Sequence, residues 1–528
     1  MIPFRSLLLV VATLWACAGC ALAVAQEATG PNENAARAGI VQRVDALVDA
    51  KIREAGFTPA VPSGDEEFLR RVYLDLTGAI PRVAEAREFL ADPRPDKRAV
   101  LIDKLLDSPA HATHLANTWR NVLLPGGLNP EQINNVVGVQ NWLRQRFVEN
   151  VRYDNLVAEL LVASDGGEAG PALYYTSLDV SPEKLASSTA RIFLGLQIEC
   201  AQCHDHPFDH WKQRDFWGYA AFFAQLRQPE MANPNARGRA RLLDLDAGDV
   251  KLPNTEEVVL PKYPSGNSPG QQELGTRREQ LAIWMASRSN PYLARAGVNR
   301  AWWQLFGRGL VEPVDDLGGH NAPSHPELLD ALTTYFVSSG FDLRELYRTM
   351  VGTAAYQCTS VATATTVPPA ELYVTMPVKT LTAEQLYDSV NRVLHRRTTP
   401  AMANNNVASL LLDPQRQAFI AKVQSSSRNF LDYQAGVLQA LALLNGGDLA
   451  EATDPAKSPL LGSLEAPYFS DKDRLEALFL ATLSRRPSER ETALCMKQLS
   501  AFTAEDRAQA YSDVLWALLN SAEFALNH

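Results

Sequence analysis

Asp65-Glu-Glu-Phe68-Leu69-Arg-Arg71-Val72-Tyr73-Leu-Asp75-Leu76 is the stretch on which the fold turns. Its apolar residues recur three and four positions apart, with helix formers between them, which predicts an amphipathic helix over 65–76. Arg71 and Asp75, four apart on that helix, read as a structural pair. The same spacing predicts helices over 40–54, 83–91 and 96–107, the last opened by Asp96-Lys97 and closed by Ser108-Pro109. Further helices are expected over 131–150, 153–163 and 182–198. Ser181-Pro182-Glu183 opens the last with a serine cap, a first-turn proline and an early acid, and the helix runs straight into a cysteine cluster.

Residues 229–271 change character. Pro229, Pro234, Pro253, Pro264 and Pro269 mark an irregular linker, with Glu256 to Leu260 as its one short strand. A second helical block follows over 273–288, 292–306, 325–339, 342–353, 382–396, 431–445, 471–484, 488–502 and 506–521. Irregular segments separate its members at 358–370, 398–413 and 446–468. There is no repeat period and no Rossmann or P-loop glycine pattern. The expected architecture is mainly α: two helical domains over 35–228 and 272–528, a Pro/Gly-rich linker and little β.

The length of 528 residues fits this division at roughly 100–200 residues per domain. Hydrophobic residues make up 46% and charged residues 21%, which excludes a disordered or collagen-like chain. Asp and Glu number 60 against 50 Lys and Arg, a net charge of −10 with no basic block, so no nucleic-acid partner is expected. Six cysteines are too few for a disulfide scaffold.

Residues 1–25 read as an export signal. Arg5 supplies the positive start, and Leu7 to Ala16 an apolar core too short to span a bilayer comfortably. Ala23-Val24-Ala25 offers cleavage before Gln26. Ala18-Gly19-Cys20 offers lipidation of Cys20 instead, although Cys17 stands where a larger aliphatic is usual, and a retained anchor is the third reading. All three place the chain outside the cytoplasm, in the periplasm or at the cell surface, with membrane contact only through a lipid on Cys20. Beyond this segment Cys200, Cys203, Cys358 and Cys495 remain.

Residues 198–211 read Ile-Glu-Cys200-Ala-Gln-Cys203-His204-Asp205-His206-Pro-Phe208-Asp209-His210-Trp211. Cys200-x-x-Cys203-His204 is the spacing of c-type haem attachment. Two thiols about one helical turn apart each reach one vinyl group of a porphyrin, and the next imidazole sits under the iron. Export agrees with it. Other readings stay open. Cys200, Cys203, His204 and His206 form a Zn or Fe donor set, with Asp209 or His210 near enough to join, although adjacent ligands at 203 and 204 strain a tetrahedral site. A disulfide or redox-active thiol pair is the other. Asp205 and Asp209 are placed to orient His206 as a general acid or base. Phe208, Trp211, Phe216, Trp217, Tyr219, Phe222 and Phe223 read either as an apolar haem wall or as ordinary helix-spaced core. His325, in Pro323-Ser324-His325-Pro326, is the candidate second axial ligand. Arg300, Arg308, Asp315 and Asp316 read as a substrate or acid–base pocket, or as inter-helix ion pairs.

Phe68–Gly78, Ala190–Gly195 and Cys200–Asp209 resemble the planctomycete cytochrome-associated domain of unknown function 1549. Asn290–Arg295, Val298–Arg300, Phe306–Asp316, Ser324–Asp330, Leu381–Gln385 and Leu515–Phe524 resemble its usual partner, domain of unknown function 1553. The resemblance covers nearly all of the chain past residue 25. It implies export, and that larger members carry a separate cytochrome c domain; this sequence holds one Cys-x-x-Cys-His. It implies no settled reaction. The family's cysteine-containing segment before the helix at Leu443-Leu-Asn445 has no counterpart here, and Cys358 and Cys495 read as buried or stray thiols. The expectation is therefore an exported haem c protein in redox or electron-transfer chemistry, with a partner protein or a small organic or carbohydrate-derived substrate. A haem-free Zn- or Fe-dependent hydrolase or lyase, with Asp209, Asp315 or Asp316 as acid or base, and a non-enzymatic surface or assembly protein are the alternatives.

Overall fold

The computed structural model describes residues 31–124, 133–164, 170–228, 242–270, 275–362, 366–394, 411, 413–423, 453–503 and 506–528. The export segment 1–25 with Cys20, the helix expected over 431–445 and most of the irregular stretch 398–413 lie outside the described residues. In chain order the helices are α1 (Pro31–Glu54), α2 (Asp65–Thr77), α3 (Val83–Ala91), α4 (Lys97–Leu106), α5 (Pro109–Leu123), α6 (Ile133–Val148), α7 (Tyr153–Leu161), α8 (Ala172–Thr176), α9 (Pro182–Thr189) and α10 (Gln213–Ala220). Then come α11 (Arg277–Met285), α12 (Leu293–Phe306), α13 (Pro326–Ser338), α14 (Leu343–Val351), α15 (Ala354–Gln357), α16 (Ala383–Val393), α17 (Pro414–Val423), α18 (Pro459–Leu464), α19 (Asp471–Leu483), α20 (Glu489–Leu499) and α21 (Arg507–Leu519). The sheets among the described residues are three antiparallel pairs of two-residue strands: β1 (Leu226–Arg227) with β2 (Leu243–Asp244), β3 (Val250–Lys251) with β4 (Val258–Val259), and β5 (Lys379–Thr380) with β6 (Leu526–Asn527). The protein is mainly α, as its periodicity predicts.

Two local readings change. Ser108-Pro109 does not only close α4. Ser108 accepts a hydrogen bond from the His111 N–H with Pro109 in the first turn, so the same dipeptide starts α5. The helix expected over 182–198 ends at Thr189. Ala190–Leu194 widen into a π turn, and Gly195 closes it at φ +65, a left-handed conformation that favours glycine.

α2 lies between two cores. Phe68, Leu69, Val72, Tyr73 and Leu76 enter the larger one, which runs from Val44 through α12 to Met376. Leu74 enters a second, built by α16 to α21 with Phe524. The larger core therefore draws on residues both before and after the 229–271 segment. The described part of that segment folds back on α10, where Lys262 Nζ meets Asp215 at 2.7 Å and the Lys262 N–H donates to the Gly218 carbonyl at 2.9 Å. Arg71 does not pair with Asp75. It turns one helical turn the other way to Glu67 at 2.5 Å, and its Nη1 donates to the Tyr356 and Cys358 carbonyls. No helix among the described residues is long and apolar enough to cross a membrane.

His111 on α5 is 4% exposed, and its Nδ1–H donates to the Leu76 carbonyl at 2.9 Å. Burial drags its pKa down to about 4. The unfolded chain binds this proton below about 6.5, while the folded chain refuses it until about 4. Stability is therefore expected to fall as pH drops from 6.5 toward 4, by about 3 kcal/mol from this group, and to level off below. Urea midpoints at pH 7 and 4.5 check it, and His111→Leu should show a shallower dependence than the unsubstituted protein.

Candidate functional site

Behind the π turn the chain runs irregularly through Leu196 to Ile198 and then tightens into a 3-10 turn over Glu199–Gln202. α10 holds this turn from behind. Trp217 Nε1 and Gln213 Nε2 donate to the Gln202 carbonyl at 3.0 and 3.1 Å, and Gln213 Nε2 reaches the Cys203 carbonyl at 2.9 Å. The loop that follows closes on itself through the His206 N–H and the Trp211 carbonyl, at 2.8 Å. Cys200 and Cys203 are exposed, with free thiols.

His204 and His206 are opposite tautomers. His204 is exposed, and its Nδ1 lies 2.8 Å from the Asp205 carbonyl. A carbonyl only accepts, so Nδ1 carries the hydrogen and Nε2 keeps a lone pair for a metal ion. His206 Nδ1 accepts from the Phe208 and Asp209 N–H groups at 3.2 and 2.9 Å. Its hydrogen is then on Nε2, which makes it a donor rather than a ligand. Asp205 is exposed and caps α10: its Oδ1 accepts from the Gln213 N–H at 3.0 Å and its Oδ2 meets Lys212 Nζ at 3.0 Å. The Gln213 hydrogen bond, then Lys212, hold its pKa below the usual value. Asp209 is 7% exposed at its side chain. Burial pushes its pKa up, but hydrogen bonds from the His210 N–H at 2.7 Å and the His210 ring at 2.6 Å outweigh it and leave the carboxyl below the usual range.

A second loop, after α12, seats against the first. Buried Asn299 shapes it by donating to the Val311 and Val314 carbonyls and accepting from the Val311 N–H, all at 3.0 Å. The Leu317 N–H donates to the Gly195 carbonyl at 2.7 Å. Asp315 meets Arg191 at 3.4 Å and accepts from Gln197 Nε2 at 3.2 Å, while Arg191 also faces Glu199 at 3.9 Å. Burial raises the pKa of Glu199. Buried Asp316 lies 3.1 Å from His320 Nε2, and His320 Nδ1 lies 3.6 Å from Asp209. The His320 ring faces that of His206 at 6.3 Å between centroids, tilted by 28°.

The structure thus gathers Cys200, Cys203, His204, Asp205, His206, Asp209, Asp315 and Asp316 at one junction of two loops. It does not bring His325 there. His325 is 5% exposed at the start of α13, with Nδ1 3.1 Å from Ser324 Oγ and its ring 5.6 Å from Tyr373. Burial, then the Lys51 charge, lower its pKa to about 4. His320, four residues past Asp316 in a Gly-Gly-His turn, is the histidine that sequence reasoning missed. The aromatic run is core: Trp211, Phe216, Tyr219, Phe222 and Phe223 are buried, and Phe222, Tyr263 and Trp284 stack at 4.9 Å spacings. Phe208 alone of that run stands well exposed, at 80%. Among the described residues no three His, Cys, Asp or Glu side chains converge closely enough to hold an ion.

The junction depends on Gly195. A Cβ there would lie 2.4 Å from Leu317 Cδ1, in a left-handed backbone. Gly195→Ala is expected to cost about 1–3 kcal/mol. Because it pries the two loops apart, it should also expose Asp316 and His320, which hydrogen exchange at Leu317 would register as faster.

Residues 43–228 match the family model PSCyt2, protein of unknown function (DUF1549), and residues 277–411 match PSD1, protein of unknown function (DUF1553). No curated protein and no solved structure matches the chain. The Cys–His loop belongs to the first matched segment and the His320 loop to the second, so the candidate site is their contact. The chain belongs to the two-domain family in which a DUF1549 segment is followed by a DUF1553 segment.

Proposed function

We propose that the protein is an exported c-type haem protein with a redox role, attached through Cys200 and Cys203 and ligating iron through His204 Nε2. The observation that carries this reading is the 2.8 Å hydrogen bond from His204 Nδ1–H to the Asp205 carbonyl, beside two free, exposed thiols. It leaves Nε2 as the one basic nitrogen on His204 and fixes the ring without a second protein group. Each thiol would add across one vinyl group, its sulfur taking one carbon and its hydrogen the other. Bound haem would supply a one-electron couple at the protein surface.

The chain's own residues set the surroundings. The Asp205 and Lys212 contacts with α10 hold the loop. His206 keeps a proton on Nε2, and the His320 ring lies between Asp209 and Asp316. Exposed Phe208 offers an apolar contact for a redox partner or a small organic substrate. Export rests on the Arg5, apolar-core and Ala23-Val24-Ala25 pattern of residues 1–25, with Cys20 as the alternative anchor.

The test is a pyridine haemochrome spectrum of protein produced with a haem-attachment system and extracted with acid acetone. Haem that stays with the polypeptide supports the reading. Colourless protein holding stoichiometric zinc or iron favours the hydrolase or lyase reading, and protein with neither overturns both.

A further inference from the structure

Phe208 is the one exposed phenylalanine among the described residues, and it enters none of the cores. The ring it meets is that of His206, edge-on at 6.5 Å between centroids. Looseness of the loop does not explain this exposure. The Phe208 N–H donates to His206 Nδ1 at 3.2 Å, and the loop closes through the His206 N–H and the Trp211 carbonyl at 2.8 Å. The next residue, Asp209, is taken up by the second loop. A Cβ on Gly318 would lie 2.7 Å from Asp209 Oδ2, so a residue without a side chain is what lets the backbone come so near, and the Gly319 N–H supports the carboxylate charge. Phe208 is therefore held in water by a loop that is pinned on both sides of it.

An exposed phenyl ring gains by being covered, and a haem gains by an apolar neighbour, because solvent exposure sets its potential. The other aromatic residues of the run are committed elsewhere. Trp211, Phe216, Tyr219, Phe222 and Phe223 are core, and Trp217 lies under the turn with Nε1 on the Gln202 carbonyl. The remaining exposed side chains around the ligand are mostly polar, among them His204, Asp205, His210 and Lys212. Phe208, four residues past His204, is the large apolar side chain of this loop left uncovered. We propose that Phe208 covers the haem and shields it from water. The proposal rests on the haem reading and adds to it the residue that sets the water exposure of the porphyrin.

Hydroxyl-radical footprinting by X-ray radiolysis, read by mass spectrometry, tests it on purified protein matured with a haem-attachment system. Phe208 is expected to be oxidised several-fold more slowly there than in the haem-free Cys200→Ser, Cys203→Ser variant. Phe208→Ala, matured in the same way, should favour the ferric state about tenfold more, a fall of about 59 mV in midpoint potential, and Phe208→Leu should restore most of it. Without haem, Phe208→Ala should melt within about 1 °C of the unsubstituted protein, which separates the cover from a structural role. Haem retained by a protein whose Phe208 is oxidised as fast as in the double variant overturns the proposal and leaves the haem reading standing, with Phe208 free for a partner protein. So does a potential indifferent to Phe208→Ala. Protein that retains no haem overturns both.

Discussion

Asp75→Ala is expected to destabilise the protein by about 3–5 kcal/mol, the scale of breaking a buried ion pair by removing one partner. Asp75 and Lys379 are 3% and 6% exposed at their side chains and meet at 2.7 Å. Asp75 also accepts from Asn527 Nδ2 at 2.7 Å and from the Tyr356 hydroxyl at 2.8 Å. One carboxylate on α2 thus ties β5, the C-terminal β6 and α15 together where the two cores meet. Alanine takes the acceptor from the Tyr356 hydroxyl and the Asn527 amide, and leaves the Lys379 ammonium, still held by the Gln304 and Leu305 carbonyls, without its counter-charge. The C-terminal strand loses its Asn527 tie to α2 and keeps only the Arg70 hold on the Glu523, Phe524 and Leu526 carbonyls, so it should loosen before the chain unfolds. Urea unfolding measures the loss, and limited proteolysis should find earlier cleavage near residue 520. Asp75→Ala with Lys379→Met should cost less than the sum of the single changes, because the double variant leaves no unpaired charge. Strict additivity would mean that the pair does not act as a pair.

Cys200→Ser with Cys203→Ser is expected to abolish covalently retained haem while shifting the unfolding midpoint by no more than about 1 °C. Both thiols are exposed and take part in no core contact, so their sulfurs contribute little to folding. The fold of the loop rests on carbonyls and N–H groups, through Trp217, Gln213 and His206, and these stay in place. A heme stain of a denaturing gel beside a melting curve reads both halves of the prediction. A double variant that melts much earlier would make the cysteines structural instead.

The helices were legible where capping and spacing agree. Thr276 with Glu279, Thr382 with Gln385 and Ser488 with Glu491 each form a reciprocal cap at the start of a helix near its expected boundary. They were illegible where one signal serves two purposes. Ser108-Pro109 reads as a stop because proline ends a helix, yet it is also an N-cap followed by a first-turn proline. Arg71 had acids four residues away on either side, and spacing alone does not choose between Glu67 and Asp75; the buried Lys379 does, by claiming Asp75. The site was half legible. Cys200, Cys203 and His204 announce themselves by adjacency, and the same adjacency suggested Asp205 and Asp209. His320 reaches the loop from over a hundred residues away, through a register set by Asn299, Gly195 and Leu317. His325, beside two prolines, looked more deliberate than His320 and turned out to pack against Tyr373. Tautomers are invisible in a sequence, and it is the tautomer that separates His204 from His206.

Mass spectrometry of the proteolytic peptide spanning Ile192 to Trp211, from protein matured with a haem-attachment system and then treated with a thiol alkylator, tests the central claim most directly. The account predicts one peptide carrying a single haem, with neither Cys200 nor Cys203 alkylated. A peptide alkylated at both cysteines and carrying no haem would contradict it.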